Sequence, residues 1–107
     1  MTIIEKLTES EEVIMRAIWD CKKEPGLSDV LERVNGYYGK DWKPQTVSTF
    51  LSKLCRKHYL ELKRNGKIYT YKILVRECDY RRRELNRLYY FLYQSNKKAL
   101  TKDMMTL

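Results

Sequence analysis

Between Lys43 and Lys72 the hydrophobic period changes once, from helical to alternating, and few folds accommodate that change in so short a span. The first part reads Lys43-Pro44-Gln45-Thr46-Val47-Ser48-Thr49-Phe50-Leu51-Ser52-Lys53-Leu54-Cys55-Arg56-Lys57. Pro44 suits the first turn of a helix, where a missing N–H is no loss. Advancing about 100° per residue from Val47 puts Val47, Phe50, Leu51 and Leu54 in one narrow sector of a helix over 44–57. The opposite sector holds Gln45, Ser48, Thr49, Ser52, Lys53 and Arg56, with Thr46 at its edge and Lys43 just ahead. None of these is apolar or acidic, whereas an ordinary solvated helix face mixes Glu with Lys. Small polar groups let a helix approach base edges, and Lys/Arg neutralise phosphates, so this face has the composition of a major-groove reader.

Leu60 and Leu62 then alternate with Glu61 and Lys63, and Tyr69, Tyr71 and Ile73 alternate with Thr70 and Lys72, as in two half-buried strands. Asn65-Gly66 between them is the strongest short hairpin signal, because a type I′ turn needs positive φ at both central residues. Lys63, Arg64, Asn65 and Lys67 make a cationic tip, a wing placed to lie on DNA. Three helices and such a hairpin make a winged helix-turn-helix. The expected class is mainly α with a small β-hairpin: a DNA-binding domain over 1–75 and a C-terminal helical dimerisation arm over 76–107.

The net charge of +8 is distributed in support of this reading. Residues 1–42 hold six Lys/Arg and nine Asp/Glu, a net of −3. Residues 43–74 hold eight Lys/Arg against Glu61 alone, a net of +7, and residues 75–107 hold eight against four, a net of +4. A basic segment on an otherwise acidic fold is the electrostatic footprint of a polyanion binder, although a solvated basic face would look the same by charge alone.

The flanking sequence supplies a scaffold. Thr8-Glu9-Ser10-Glu11 fits a capping box, and Val13, Ile14, Ala17, Ile18 and Cys21 recur at helical spacing over about 9–22, with Trp19 expected in the core. Pro25-Gly26 breaks that helix, Leu27 reads as a minimal strand, and Ser28 is the expected N-cap of a helix over about 29–37 that Asn35-Gly36 and Gly39-Lys40 end. Its inward face is Val30, Leu31, Val34 and Tyr37 or Tyr38. Trp42 is expected at the junction of the helices.

From about 77 to 93, Cys78, Leu85, Leu88, Tyr89 and Leu92 follow helical spacing, and Tyr80, Tyr90, Phe91 and Tyr93 add aromatics around the rest of the helix. So much apolar surface on a small domain points to a second chain. Gln94-Ser95-Asn96 breaks the arm before a short helix from Lys97 to about Met105 that carries Leu100. The expected dimerisation residues are Leu85, Leu88, Tyr89, Leu92 and Leu100; Arg81-Arg82-Arg83 reads as a solvated face.

Other chemistries find no support. Cys21, Cys55 and Cys78 have no metal-ligand spacing, His58 has no partner in a catalytic motif, and no phosphate loop or cation-binding loop occurs. No metal, cofactor or enzymatic activity is expected. The start Met1-Thr2-Ile3-Ile4-Glu5-Lys6 lacks the apolar run of a signal peptide, and no membrane span is present, so a soluble cytoplasmic protein without membrane insertion is expected.

The pattern Leu7-Thr8…Val13-Ile14…Ile18-Trp19, Leu27-Ser28-Asp29-Val30 and Trp42…Thr46-Val47…Thr49…Leu51…Lys53-Leu54…Lys57…Tyr59-Leu60 resembles the penicillinase-repressor family. The likeness continues through Gly66-Lys67…Tyr69…Tyr71 and Val75-Arg76-Glu77…Tyr80, and covers roughly 7–105. It implies a bacterial winged-helix repressor of β-lactam resistance genes, a homodimer on a palindromic operator, with Gln45, Thr46, Ser48 and Thr49 at the groove. At Ser48 several relatives carry a long basic residue instead. The family's copper-responsive branch has a C-terminal paired-cysteine cluster that this chain lacks. The resemblance also implies a membrane sensor protease as partner, with Asp103-Met104 loosely matching the scissile pair. The competing reading is a winged-helix protein-interaction module whose basic face is incidental.

Overall fold

A computed structural model describes residues 4–107; Met1-Thr2-Ile3 of the expected lead-in and N-terminal domain lie outside the described residues. The chain divides into two compact units, one ending at Arg76 and one spanning Glu77–Leu107. The first contains α1 (Glu9–Trp19), α2 (Leu27–Tyr37), α3 (Pro44–Arg56), β1 (Leu60–Asn65) and β2 (Ile68–Ile73). This is a winged helix-turn-helix: three mutually packed helices followed by an antiparallel hairpin.

The helices begin where local chemistry satisfies their first N–H groups. At α1 the Thr8 hydroxyl accepts from the Glu11 N–H at 3.2 Å, and the Glu11 carboxylate accepts from the Thr8 N–H at 2.8 Å. This is the expected capping box. The helix stops at Trp19, three residues short of expectation, with Asp20 as its C-cap. The Asp20 carboxylate accepts from Arg16 at 2.9 Å and from the Tyr38 hydroxyl at 2.8 Å, so Asp20 is tied to α2's end rather than continuing α1.

The start of α2 corrects two expectations. Leu27 is its first residue, not a strand, and the N-cap is Gly26, not Ser28. The Asp29 carboxylate accepts from the Gly26 N–H at 2.9 Å, which satisfies this terminus without the serine. The strand-like pairing lies earlier, where the Pro25 carbonyl accepts from the Tyr71 N–H of β2 at 2.9 Å. A Cβ on Gly26 would stand 3.1 Å from the Tyr69 carbonyl oxygen, so β2 approaches this closely only because position 26 lacks a side chain. Asn35 and Gly36 do not end α2; both lie inside it.

Ile14, Ala17 and Ile18 of α1, Val30 and Val34 of α2, and Val47, Leu51 and Leu54 of α3 are fully buried together with Met15, Tyr59 and Leu60. Val13, Cys21 and Leu31 are only half-buried, and Tyr37 is exposed. Trp19 is not a core residue either: it is half-buried, and its indole N–H donates to the Val75 carbonyl at 3.0 Å. An indole dipole needs a partner, and the rim of the core supplies one.

The C-terminal end of α3 is closed by a Schellman pattern. The Tyr59 N–H donates to the Leu54 carbonyl at 3.0 Å and the His58 N–H to the Cys55 carbonyl at 3.1 Å, with His58 at φ +64°. The lead-in is strapped to this end. Lys57 Nζ donates to the Lys6 carbonyl at 3.1 Å and to Glu11 Oε1 at 2.7 Å, and the Tyr59 hydroxyl donates to the Glu5 carbonyl. Glu11 is only 1% exposed, and its Oε2 has no hydrogen-bond partner. Burial alone would raise its pKa; hydrogen bonds with Lys57 and with the Thr8 backbone and hydroxyl outweigh that and hold it below its ordinary 4.5.

The second unit contains α4 (Glu77–Arg87), a π-helical turn over Leu88–Leu92, and α5 (Lys97–Met104). The helix expected over 77–93 thus changes winding at Leu88, where the Tyr93 N–H reaches back five residues to the Leu88 carbonyl at 3.0 Å. Gln94 and Ser95 take φ values of +49° and +62°, and the Asn96 side chain caps α5 through the Ala99 N–H at 3.0 Å. Arg81 pairs with Glu77 and Arg83 with Glu84, as on a solvated face.

Two outcomes are expected. His58→Gly relieves an L-residue held at positive φ and should raise stability by about 1 kcal/mol, read as an upward shift of the thermal midpoint. Glu11 has a depressed pKa in the folded state, so its contribution is complete above 4.5 and is lost as pH falls through the lower folded value. Denaturant titrations from pH 7 to pH 3 should show that loss, and Glu11→Gln should flatten it while lowering stability at pH 7 by about 3 kcal/mol.

Candidate nucleic-acid interface

The division of α3 puts Val47, Leu51 and Leu54 in the core and leaves Gln45, Thr49, Ser52, Lys53 and Arg56 exposed, with Thr46 and Ser48 half-buried at the edges. Phe50, the fourth member of the expected inward stripe, is half-buried, and its ring meets that of Trp42 at 5.3 Å between centroids. Pro44, Gln45, Ser48, Thr49, Ser52 and Arg56 line a shallow open cleft with Leu27 of α2. Gln45, Ser48, Thr49, Ser52 and Arg56 thus share one cleft whose lining contains no acid, while Lys43, Thr46 and Lys53 lie outside that lining, the Lys53 ammonium standing 5.8 Å from the Phe50 ring.

The positive end of α3 is also open. Lys43, the N-cap, makes no side-chain capping hydrogen bond, Pro44 follows, and the first turn holds no acidic residue. Each of the other two helices of this unit has a carboxylate closing its start, Glu11 at α1 and Asp29 at α2. An N-terminus left this way favours an anion, because backbone N–H groups and the helix dipole act together. Thr49 differs from the other polar residues on the face: its hydroxyl donates to the Gln45 carbonyl at 3.0 Å, so only its lone pairs remain for a partner.

Asn35 holds the start of α3 in place, a role that its sequence signal had assigned to ending α2. Its amide donates to the Trp42 carbonyl at 3.1 Å and accepts from the Trp42 N–H at 3.0 Å. Lys40 Nζ lies 5.5 Å from the Trp42 ring, a cation beside the entry to α3 that helical periodicity did not mark. Asn35 and Lys40 were hidden because they lie in or beside an apparent turn, and their roles come from closing a loop.

The hairpin places Lys63, Arg64, Asn65 and Lys67 at its exposed end, with Leu60 paired to Ile73 at its root and Asn65 to Ile68 at its tip. That register corrects the turn. The two loop residues are Gly66 and Lys67, and Gly66 has φ +67° while Asn65 is not in the left-handed region. A single positive φ at the first loop position is the demand of a II′ turn, which Gly meets without strain. The strands are half-buried only near the root; Leu62 is 50% and Ile68 66% exposed. Lys63 and Asn65 share one face of the ribbon and Arg64 lies on the other, where its guanidinium donates to the Gly66 carbonyl at 2.8 Å and stands 5.6 Å from the Tyr69 ring.

The penicillinase repressor family model matches residues 7–106. The chain belongs to this family. Penicillinase-repressor relatives include the methicillin resistance regulatory protein MecI of Staphylococcus aureus (strain N315), 31% identical over 74 residues, covering 69% of this chain and 58% of MecI. MecI of Mammaliicoccus sciuri is 30% identical over the same shares. The chain thus spans about 58% of the length of the curated relatives it matches. Among solved structures, it is similar to monomeric BlaI of Bacillus licheniformis in complex with the blaP half-operator, with a TM-score of 0.61 and 25% identity over 75% of this chain and 94% of that one. The DNA-binding domain of the repressor BlaI gives the same values. Among the described residues no cluster of His, Cys, Asp or Glu could hold a metal, the three cysteines are free, and no helix is long and apolar enough to cross a membrane.

Because Asn35 makes both hydrogen bonds of its clasp, Asn35→Ala leaves a Trp42 donor and acceptor without that partner. It should lower stability by about 1–2 kcal/mol in chemical denaturation and broaden the Trp42 fluorescence response.

Proposed function

We propose that the protein is a transcriptional repressor that binds double-stranded operator DNA as a homodimer. The observation that carries the reading is the bare, acid-free face of α3 on the fold of a repressor solved on its half-operator. In this reading Gln45, Thr46, Ser48 and Thr49 approach base edges, while Ser52, Lys53 and Arg56 meet phosphates further along the groove. Lys43 and the open end of α3 hold the backbone, and Lys63, Arg64, Asn65 and Lys67 meet the flanking duplex. A two-fold dimer reads a palindrome, with half-sites about one helical turn or a multiple apart.

The arm supports self-association. Leu85 and Leu92 are exposed and Leu88 and Tyr89 half-buried, whereas Leu100 is already buried. Tyr90 and Phe91 extend the apolar surface. Family membership supports extending the proposal to control of β-lactam resistance genes and to release by a membrane sensor protease. Asp103-Met104 ends α5, and Asp103 accepts from the Tyr93 hydroxyl at 2.8 Å, so a protease would have to unwind the last turn to reach that bond.

Fluorescence anisotropy on duplexes from upstream of its own gene tests the proposal. Lys53→Ala and Arg56→Ala should weaken every duplex and each flatten the slope of log K against log salt by about one unit. Gln45→Ala should instead relax sequence preference by about 1–3 kcal/mol at one base pair. Binding without sequence preference or salt dependence would overturn the reading. A monomer in sedimentation that binds a protein through Tyr90 and Phe91 while ignoring DNA would favour an interaction module.

A further inference from the structure

Away from the α3 face, the first unit carries a cavity of about 570 Å³ between the segment that follows α1 and one side of α2. That volume is in the range of small-molecule sites. Its floor is apolar: Pro25 is fully buried, and Cys21, Gly36 and the Tyr37 ring complete the wall. Tyr37 is 77% exposed, and the Arg33 guanidinium lies over its ring at 4.9 Å.

Gly36 is the informative residue. It sits in the last turn of α2 with no left-handed φ, so backbone conformation does not call for glycine. A Cβ there would meet nothing within 4 Å, so packing does not call for glycine either. A helical glycine is less favourable than alanine, and what its missing side chain leaves here is open space in the cavity. Three cations line the cavity, Lys22, Lys23 and Arg33, against Asp29 and Glu32. The lining carries a net of one positive charge, and Arg33 presents a planar fork suited to a carboxylate.

We infer that this cavity binds a small planar aromatic carboxylate, its ring over Pro25, Gly36 and Tyr37 and its carboxylate on Arg33. The site has a mechanical link to the wing, because Pro25 in its floor holds β2 through the Tyr71 N–H.

The test uses the full chain and two probes of equal shape and opposite charge, 2-naphthoate and 2-naphthylmethylamine, followed by backbone amide chemical shifts. Naphthoate should shift amides between Cys21 and Tyr37 saturably, and the amine should bind at least tenfold more weakly. Arg33→Gln should reduce naphthoate affinity at least tenfold, and Gly36→Leu should abolish binding by filling the space. Tyr37→Ala, at an exposed position, should reduce affinity severalfold and keeps the test decisive should Gly36→Leu disturb folding. Equal binding of both probes, no saturable shift, shifts confined to other residues, or unchanged affinity in Arg33→Gln or Tyr37→Ala would overturn the inference.

Discussion

The carboxylate of Glu11 ties three parts of the first unit to one point. It caps the first turn of α1, receives the ammonium of Lys57 at the end of α3, and through Lys57 draws in the lead-in carbonyl of Lys6. A buried charge left without its partner costs several kcal/mol, so these segments are held together or not at all. Its second oxygen lacks a hydrogen-bond partner, which makes the pair an expensive fastener and a specific one. The consequence for function is positional. The far end of α3 is fixed from the core side by Lys57, Leu54 and Tyr59, and nothing is needed on its outer face.

The near end of α3 is fixed by different means to the same effect. Asn35 clasps the backbone of Trp42, Trp42 packs on Phe50, and Val47 is buried one turn in. The helix is therefore held at both ends, while its N-cap makes no side-chain hydrogen bond and Gln45, Ser52 and Arg56 stay exposed on its outer face. Among the described residues, acids cap α1 and α2 of this unit and are missing from the start of α3. In the proposed function that contrast is where a phosphate of the duplex would dock.

The wing follows a related logic. Its root is anchored by Leu60 and by the Pro25–Tyr71 hydrogen bond, while Leu62, Ile68 and Tyr69 remain exposed toward the tip. A two-stranded ribbon is marginal in water by itself, so its order comes from the root. The Gly26 position, where any side chain would crowd β2, makes the root and the start of α2 a single packing problem. The same segment floors the cavity beside Cys21.

Local pattern was sufficient for whatever depends on neighbours in the chain. The capping box of Thr8 and Glu11, the amphipathic division of α3, the hairpin after it and the break at Gln94-Ser95-Asn96 are each set by residues within a few positions of one another, and each is present. Family membership was legible for the same reason, since it resides in that spacing. Tertiary structure decided what depends on residues far apart. Ser28 lost the cap of α2 to Gly26 and Asp29, and Leu27 lost its strand role to Pro25, because β2 lies against that segment. The hairpin turn moved to Gly66 and Lys67 because strand register, set by pairing back to Leu60 and Ile73, chooses the loop. Trp19 left the core for a carbonyl 56 residues away, and Lys57, to which periodicity gave no role, became the partner of Glu11. Periodicity says which side of a helix is apolar; only the assembled core says which polar group it must satisfy.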